Sequence, residues 1–117
     1  MKTSVILALV ITALLLIVVS AVSGIAGFMA WALALNGFMG QETAVNVSLV
    51  TYIVLALLTA LVLTIAAVLS VRYLSNTRSW NPAGATALSV VVFSILITAG
   101  HIVCVIISAV VANALRN

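Results

Sequence analysis

His101 and Cys104 are the chain's one histidine and one cysteine, and they lie three residues apart within a charge-free apolar stretch, 83–115. An imidazole can donate, accept or ligate, so the stretch is read first for what His101 can do. One histidine supplies one axial bond to a haem iron, and a haem b bound this way would draw its second axial ligand from a partner subunit. A metal held by His101 and Cys104 alone falls short of the four ligands of a tetrahedral zinc centre. A proton relay or a quinone contact is a further use. Proton chemistry at membrane depth, however, usually engages a carboxylate, and this chain has no aspartate and a single glutamate, Glu42, between the apolar runs. The remaining reading is structural: the imidazole joins helices by a hydrogen bond, a contact that contributes about 0.6 kcal/mol across membrane interfaces. That reading is the one adopted, with Cys104 as a small buried apolar side chain.

Around His101 the spacing defines a face. Ser94, Thr98, His101 and Ser108 recur at intervals of four, three and seven, which keeps them on one side of a helix, and Gly100 beside them permits close approach. Small residues also recur four apart in the first apolar run: Ser20 with Gly24, Ser23 with Gly27, and Ala26 and Ala30 with Ala34. Such spacing lets transmembrane backbones come together. If every span is centred on the bilayer midplane, His101 falls level with 20–23 in the first run and 55–59 in the second. The predicted helix interface is therefore Ser20, Ser23, Gly24, Gly27, Thr59, Ser94, Thr98, Gly100, His101 and Ser108.

The elements that position these residues follow from composition. Of 117 residues 67% are hydrophobic and 4% charged, against about a quarter charged in an ordinary globular domain. Lys2, Glu42, Arg72, Arg78 and Arg116 leave three charge-free stretches, 3–41, 43–71 and 79–115. Each exceeds the roughly 20 residues that cross a hydrocarbon core about 30 Å thick. Without water, backbone groups there must be satisfied within a helix or a closed barrel. Barrel strands alternate in polarity, and these runs are apolar on both parities. The fold expected is all-α, an integral membrane bundle of three transmembrane helices. It forms a single membrane domain over 1–117, with spans at about 4–34, 44–71 and 83–113.

The first run begins as a signal peptide does, with Lys2 before an apolar stretch and Ala21-Val22-Ser23 as a possible cleavage site. Its apolar character continues through Ile25, Phe28, Trp31 and Leu35, which favours an uncleaved span. Trp31 reads as an interfacial anchor. At about 32 residues and 1.5 Å per residue this run must tilt, protrude, or bend near Gly24 and Gly27. Gly37 and Gly40 supply the turn that follows, and Thr43 is a plausible cap for the second helix. Asn46-Val47-Ser48 spells a glycosylation sequon, but at the mouth of a span it is out of a modifying enzyme's reach. Thr51, Thr59 and Thr64 can return their hydroxyls to the preceding turn. The segment 72–80 is the one hydrophilic loop, and Asn81-Pro82 opens the third helix with a favoured cap and a proline at the first helical position.

Lys2, Arg72 and Arg78 share one side of the membrane, with Arg116 alone opposite. The positive-inside rule then puts the N-terminus in the cytoplasm and the C-terminus outside, in what reads as a bacterial inner membrane. The formal charge of +3 comes from singly spread cations, which excludes a nucleic-acid surface. There is no glycine-rich phosphate loop, no catalytic Ser/His/Asp set and no cluster of metal ligands, so no enzyme is expected.

In layout only, three spans with one histidine resemble the membrane anchors of respiratory dehydrogenases and small subunits of terminal oxidases. No run of residues carries a family motif. The function expected is that of a small accessory or regulatory subunit packed against a larger membrane protein. The alternatives are a homo-oligomeric channel or small transporter with a polar path along the third helix, and a membrane immunity or holin-like protein.

Overall fold

The computed structural model describes residues 2–116, and among them every regular element is helical. Helix α1 is Thr3–Ala34, α2 is Glu42–Asn76 and α3 is Pro82–Ala114. All three are long and apolar enough to cross a membrane. They form an up-down-up bundle 57 Å long and 17 Å across in both other directions. At 32 to 35 residues each, the helices outrun the hydrocarbon core. Helical structure runs unbroken through Ser20, Gly24 and Gly27 in α1.

The ends are set locally. Asn81 accepts a hydrogen bond from the Ala83 amide at 2.9 Å, and Pro82 follows as the first helical residue, as the dipeptide predicts. The expected Thr43 cap is not used: α2 starts at Glu42, preceded by Gln41 with no side-chain cap bond. Gly37 and Gly40 carry the turn between α1 and α2 at φ values of 98° and 76°, which a side chain rarely allows. The segment 72–80 is not a loop throughout. Arg72 to Asn76 continue α2, because polar side chains at headgroup depth are solvated and leave the helix intact.

Each helix presents one buried row. On α1 it runs through Val5, Ala8, Thr12, Leu16 and Trp31; on α2 through Ala44, Ser48, Tyr52, Ala67 and Val71; on α3 through Ala85, Ser89, Ile97, His101, Cys104, Ser108 and Ala112. Intervals of three and four dominate, as helical geometry requires. Toward the Lys2 end the core is aliphatic, with Ala8 against Val71 and Ala85, and Leu16 against Ala67 and Ile97. Toward the other end it is built of Trp31, Leu35, Tyr52, Cys104 and Ala112. Large apolar side chains such as Leu14, Val18, Val22, Leu57, Leu61, Ile95 and Ile106 point outward. In water such a surface would aggregate, and in lipid it is the expected exterior.

Glycine sets the closest approach between α2 and α3. A methyl group on Gly100 would sit 2.6 Å from Thr59 Cγ2. Thr59 is β-branched, with few rotamers open to it in a helix, so it cannot swing clear cheaply. Overpacking costs about 1–3 kcal/mol, and the gain in helix propensity from Gly to Ala is only about 1 kcal/mol. Gly100→Ala is therefore expected to destabilise the bundle, by up to about 2 kcal/mol in reversible unfolding from bicelles. Thr59→Ser, which removes the clashing methyl, should restore most of that loss in the double variant. Equal losses with and without Thr59→Ser would show that the two helices do not meet there.

Candidate functional site

The side-chain hydrogen bonds that cross between helices gather in one half of the bundle interior. At its centre His101, 3% exposed, reaches from α3 to both other helices. Its Nδ1 lies 2.6 Å from Ser23 Oγ on α1, and its Nε2 lies 3.3 Å from the Ala56 carbonyl oxygen on α2. A carbonyl only accepts, so the ring hydrogen belongs on Nε2, and Nδ1 accepts from the Ser23 hydroxyl. Ser23 has one proton and a second acceptor nearby, the Val19 carbonyl at 2.8 Å. The Nε2–H tautomer directs that proton to the ring, which offers the shorter contact. Depth matching places 20–23 and 55–59 level with His101, and its partners Ser23 and Ala56 lie within those windows.

A second connection joins all three helices nearer the Leu35 end. The Trp31 indole N–H donates to Ser48 Oγ at 2.7 Å, and the Ser48 hydroxyl donates to the Ser108 carbonyl at 2.6 Å. Trp31 is thus not the interfacial anchor its position suggested. It is buried, its ring rests against Phe28 with centroids 5.5 Å apart, and its one polar atom is spent inside the protein. Between the two connections the Tyr52 hydroxyl donates to the Gly24 carbonyl at 2.6 Å. The small-residue spacing of α1 takes a specific form here. Gly24 presents its carbonyl to Tyr52 and lies under the His101 ring, where a Cβ would meet Cε1 at 3.7 Å. Gly27 leaves room for the Tyr52 ring, since a Cβ there would overlap the phenol oxygen.

The other predicted interface residues divide. Thr59 does not bond His101. Its hydroxyl lies 3.5 Å from Cys104 Sγ, and its methyl packs on Gly100. Ser108 is fully buried and returns its hydroxyl to the Cys104 carbonyl at 2.7 Å. Ser20 turns a buried Oγ inward without a partner. Ser94 is half-buried, and Thr98 is a correction: it is exposed, outside the helix interface, and bonds only the Ser94 carbonyl of its own helix. With about 100° between successive residues, the core row through Ile97 and His101 carries Thr98 out toward lipid. The weakly polar stripe of four is therefore not one face of contact.

Ser48, Tyr52 and Trp31 are the site residues the sequence reading missed. A signal for the first two was present, because Ser48, Tyr52 and Thr59 fall at intervals of four and seven and so share a face of α2. The Ala56 carbonyl left no mark in the sequence, as any residue type offers the same acceptor.

Chemically, the arrangement is a set of donor and acceptor pairs between helices. Cys104 is buried, with its sulfur against Thr59. Among the described residues no three His, Cys, Asp or Glu side chains gather as a metal site would require. A haem bond from His101 would have to break its contact with Ser23 or Ala56. No protein-family model matches the chain, and comparisons with curated proteins and with solved structures likewise find no match.

The Ser23–His101 contact is expected to show a coupling of about 0.6 to 1.7 kcal/mol, the range for side-chain hydrogen bonds between membrane helices. A double-mutant cycle with Ser23→Ala and His101→Ala measures it, and ¹⁵N spectra of the imidazole should report hydrogen on Nε2. Zero coupling together with the opposite tautomer would remove the bond from this account.

Proposed function

We propose that this chain is a small, non-catalytic accessory subunit of a bacterial inner-membrane complex, and that it receives a transmembrane helix of its partner between α1 and α2. The observation carrying this reading is a cavity of about 630 Å³ on that side of the bundle, where the two helices leave a groove at mid-span. Its walls include Ala21 and Gly24 from α1 and Ala56 and Ala60 from α2, with Ile17 and Leu61 as larger apolar neighbours. Small residues four apart are what another helix needs for close backbone approach, and Ala56 and Ala60 provide that spacing. Lipid chains give helix association no hydrophobic advantage, so shape of this kind decides where a partner packs.

The inward direction of the polar groups supports the same reading over a conducting one. His101 and Ser108 are buried and bonded, and Thr98 turns to lipid, so these side chains offer no continuous hydrophilic lining. The small residues of α1 need a narrower interpretation than their spacing suggested. Gly27 makes room for the Tyr52 ring and Gly24 gives that residue its carbonyl, which leaves the groove as the surface available to a partner. Lys2, Arg72 and Arg78 at one end argue for that end facing the cytoplasm.

Extraction of the native membrane into polymer-bounded discs should recover the chain with a different protein in fixed ratio. Ala21→Phe, which fills the groove from its exposed wall, should release that protein. Ala26→Phe, on another side of α1, should not. Recovery as a monomer without crosslinked protein, or solute flux through liposomes that is lost in His101→Ala, would replace this reading with another.

A further inference from the structure

We propose that the Lys2 end of the bundle holds the phosphate group of an anionic lipid, in a cavity formed between the start of α1, the end of α2 and the turn into α3. The cavity measures about 600 Å³ and is lined by Lys2, Ser4, Ser75, Asn76, Ser79 and Trp80, among others. Unlike the mid-span groove it offers an ammonium, hydroxyls and an amide together.

Charge balance indicates the sign of the ligand. Lys2, Arg72 and Arg78 all lie at this end, whereas Glu42, the chain's single acidic side chain, opens α2 at the far end of the 57 Å bundle. Arg78 is already engaged: its Nε donates to the Tyr73 hydroxyl at 3.2 Å, and its guanidinium lies 5.9 Å from that ring centroid. Lys2 faces the cavity with no carboxylate at its end of the molecule. An anion would supply the missing charge, and hydroxyl and amide donors beside an ammonium suit phosphate oxygens.

Depth selects the source. The cavity sits where the helices leave the hydrocarbon, level with Trp80, the kind of aromatic residue found at headgroup depth. A phospholipid there keeps its chains along the apolar outer surface, beside exposed Ile6 and Leu7, while its phosphate enters the cavity. Anionic leaflets attract such basic ends by about 1 kcal/mol per cation, roughly a fivefold factor in occupancy.

Lys2 is the chain's only lysine, so its acylation reads the site directly. The full-length protein would be placed in nanodiscs of phosphatidylcholine with or without phosphatidylglycerol, and the acylation rate of Lys2 followed by mass spectrometry. Phosphatidylglycerol is expected to slow Lys2 at least about fivefold beyond the slowing that general surface attraction gives a lysine outside the cavity. A lysine introduced by Arg78→Lys, at the same end but outside the cavity, should slow much less. Ser4→Phe, which keeps the charge and fills the cavity from an exposed position, should abolish the protection of Lys2, with helicity checked by circular dichroism. Equal slowing at both lysines would mean diffuse surface charge and overturn the site. Equal protection by inorganic phosphate in phosphatidylcholine discs would mean a soluble anion and overturn the lipid.

Discussion

The structure depends on one constraint: inside hydrocarbon, a polar side chain that crosses a helix interface must find its partner in the protein. His101 meets it twice, with Ser23 on α1 and Ala56 on α2, and in doing so ties three helices at one depth. Apolar packing alone sets these helices less strictly, because an aliphatic row can slide against another with modest loss, whereas a hydrogen bond is lost within an ångström or so. The Trp31 to Ser48 to Ser108 connection fixes the same three helices a second time, nearer the Leu35 end. Two ties at separate depths determine rotation as well as height.

These bonds are individually weak, at about 0.6 kcal/mol on average in membranes. Their effect is on specificity more than on total stability. Rotating α1, α2 or α3 by one residue would turn the indole, the Tyr52 hydroxyl or the imidazole, respectively, toward lipid, where an unsatisfied group costs several kcal/mol. The cost of the wrong arrangement exceeds the gain of the right one. Gly27 and Gly100 are the steric side of the same selection, since Tyr52 and Thr59 fit only where a side chain is missing.

The number of spans and the depth of His101 were legible in the sequence because bilayer thickness imposes a common ruler on every helix. The start of α3 was legible because Asn81 and Pro82 act within a single turn. Rotation about each helix axis was not. Thr98 and Ser94 share a sequence spacing with His101, yet whether that arc faces protein or lipid depends on Ile97 being the better core residue. Trp31 shows the same limit: a tryptophan near a span end satisfies its N–H with water or with Ser48, and only the packing of α2 decides between them. The end of α2 was not legible, since Arg72, Ser75 and Asn76 are polar, and polarity near the headgroups does not terminate a helix.

All the side-chain bonds between helices seen here lie from mid-bundle toward the Leu35 end, while the Lys2 half packs alanine, leucine, valine and isoleucine around buried Thr12 and Ser89. In that half Thr12 and Ser70 bond only within their own helices, and the Ser75 and Thr86 hydroxyls have no partner. The rotational register of the bundle is therefore set in the Leu35 half, and the Lys2 half inherits it through packing.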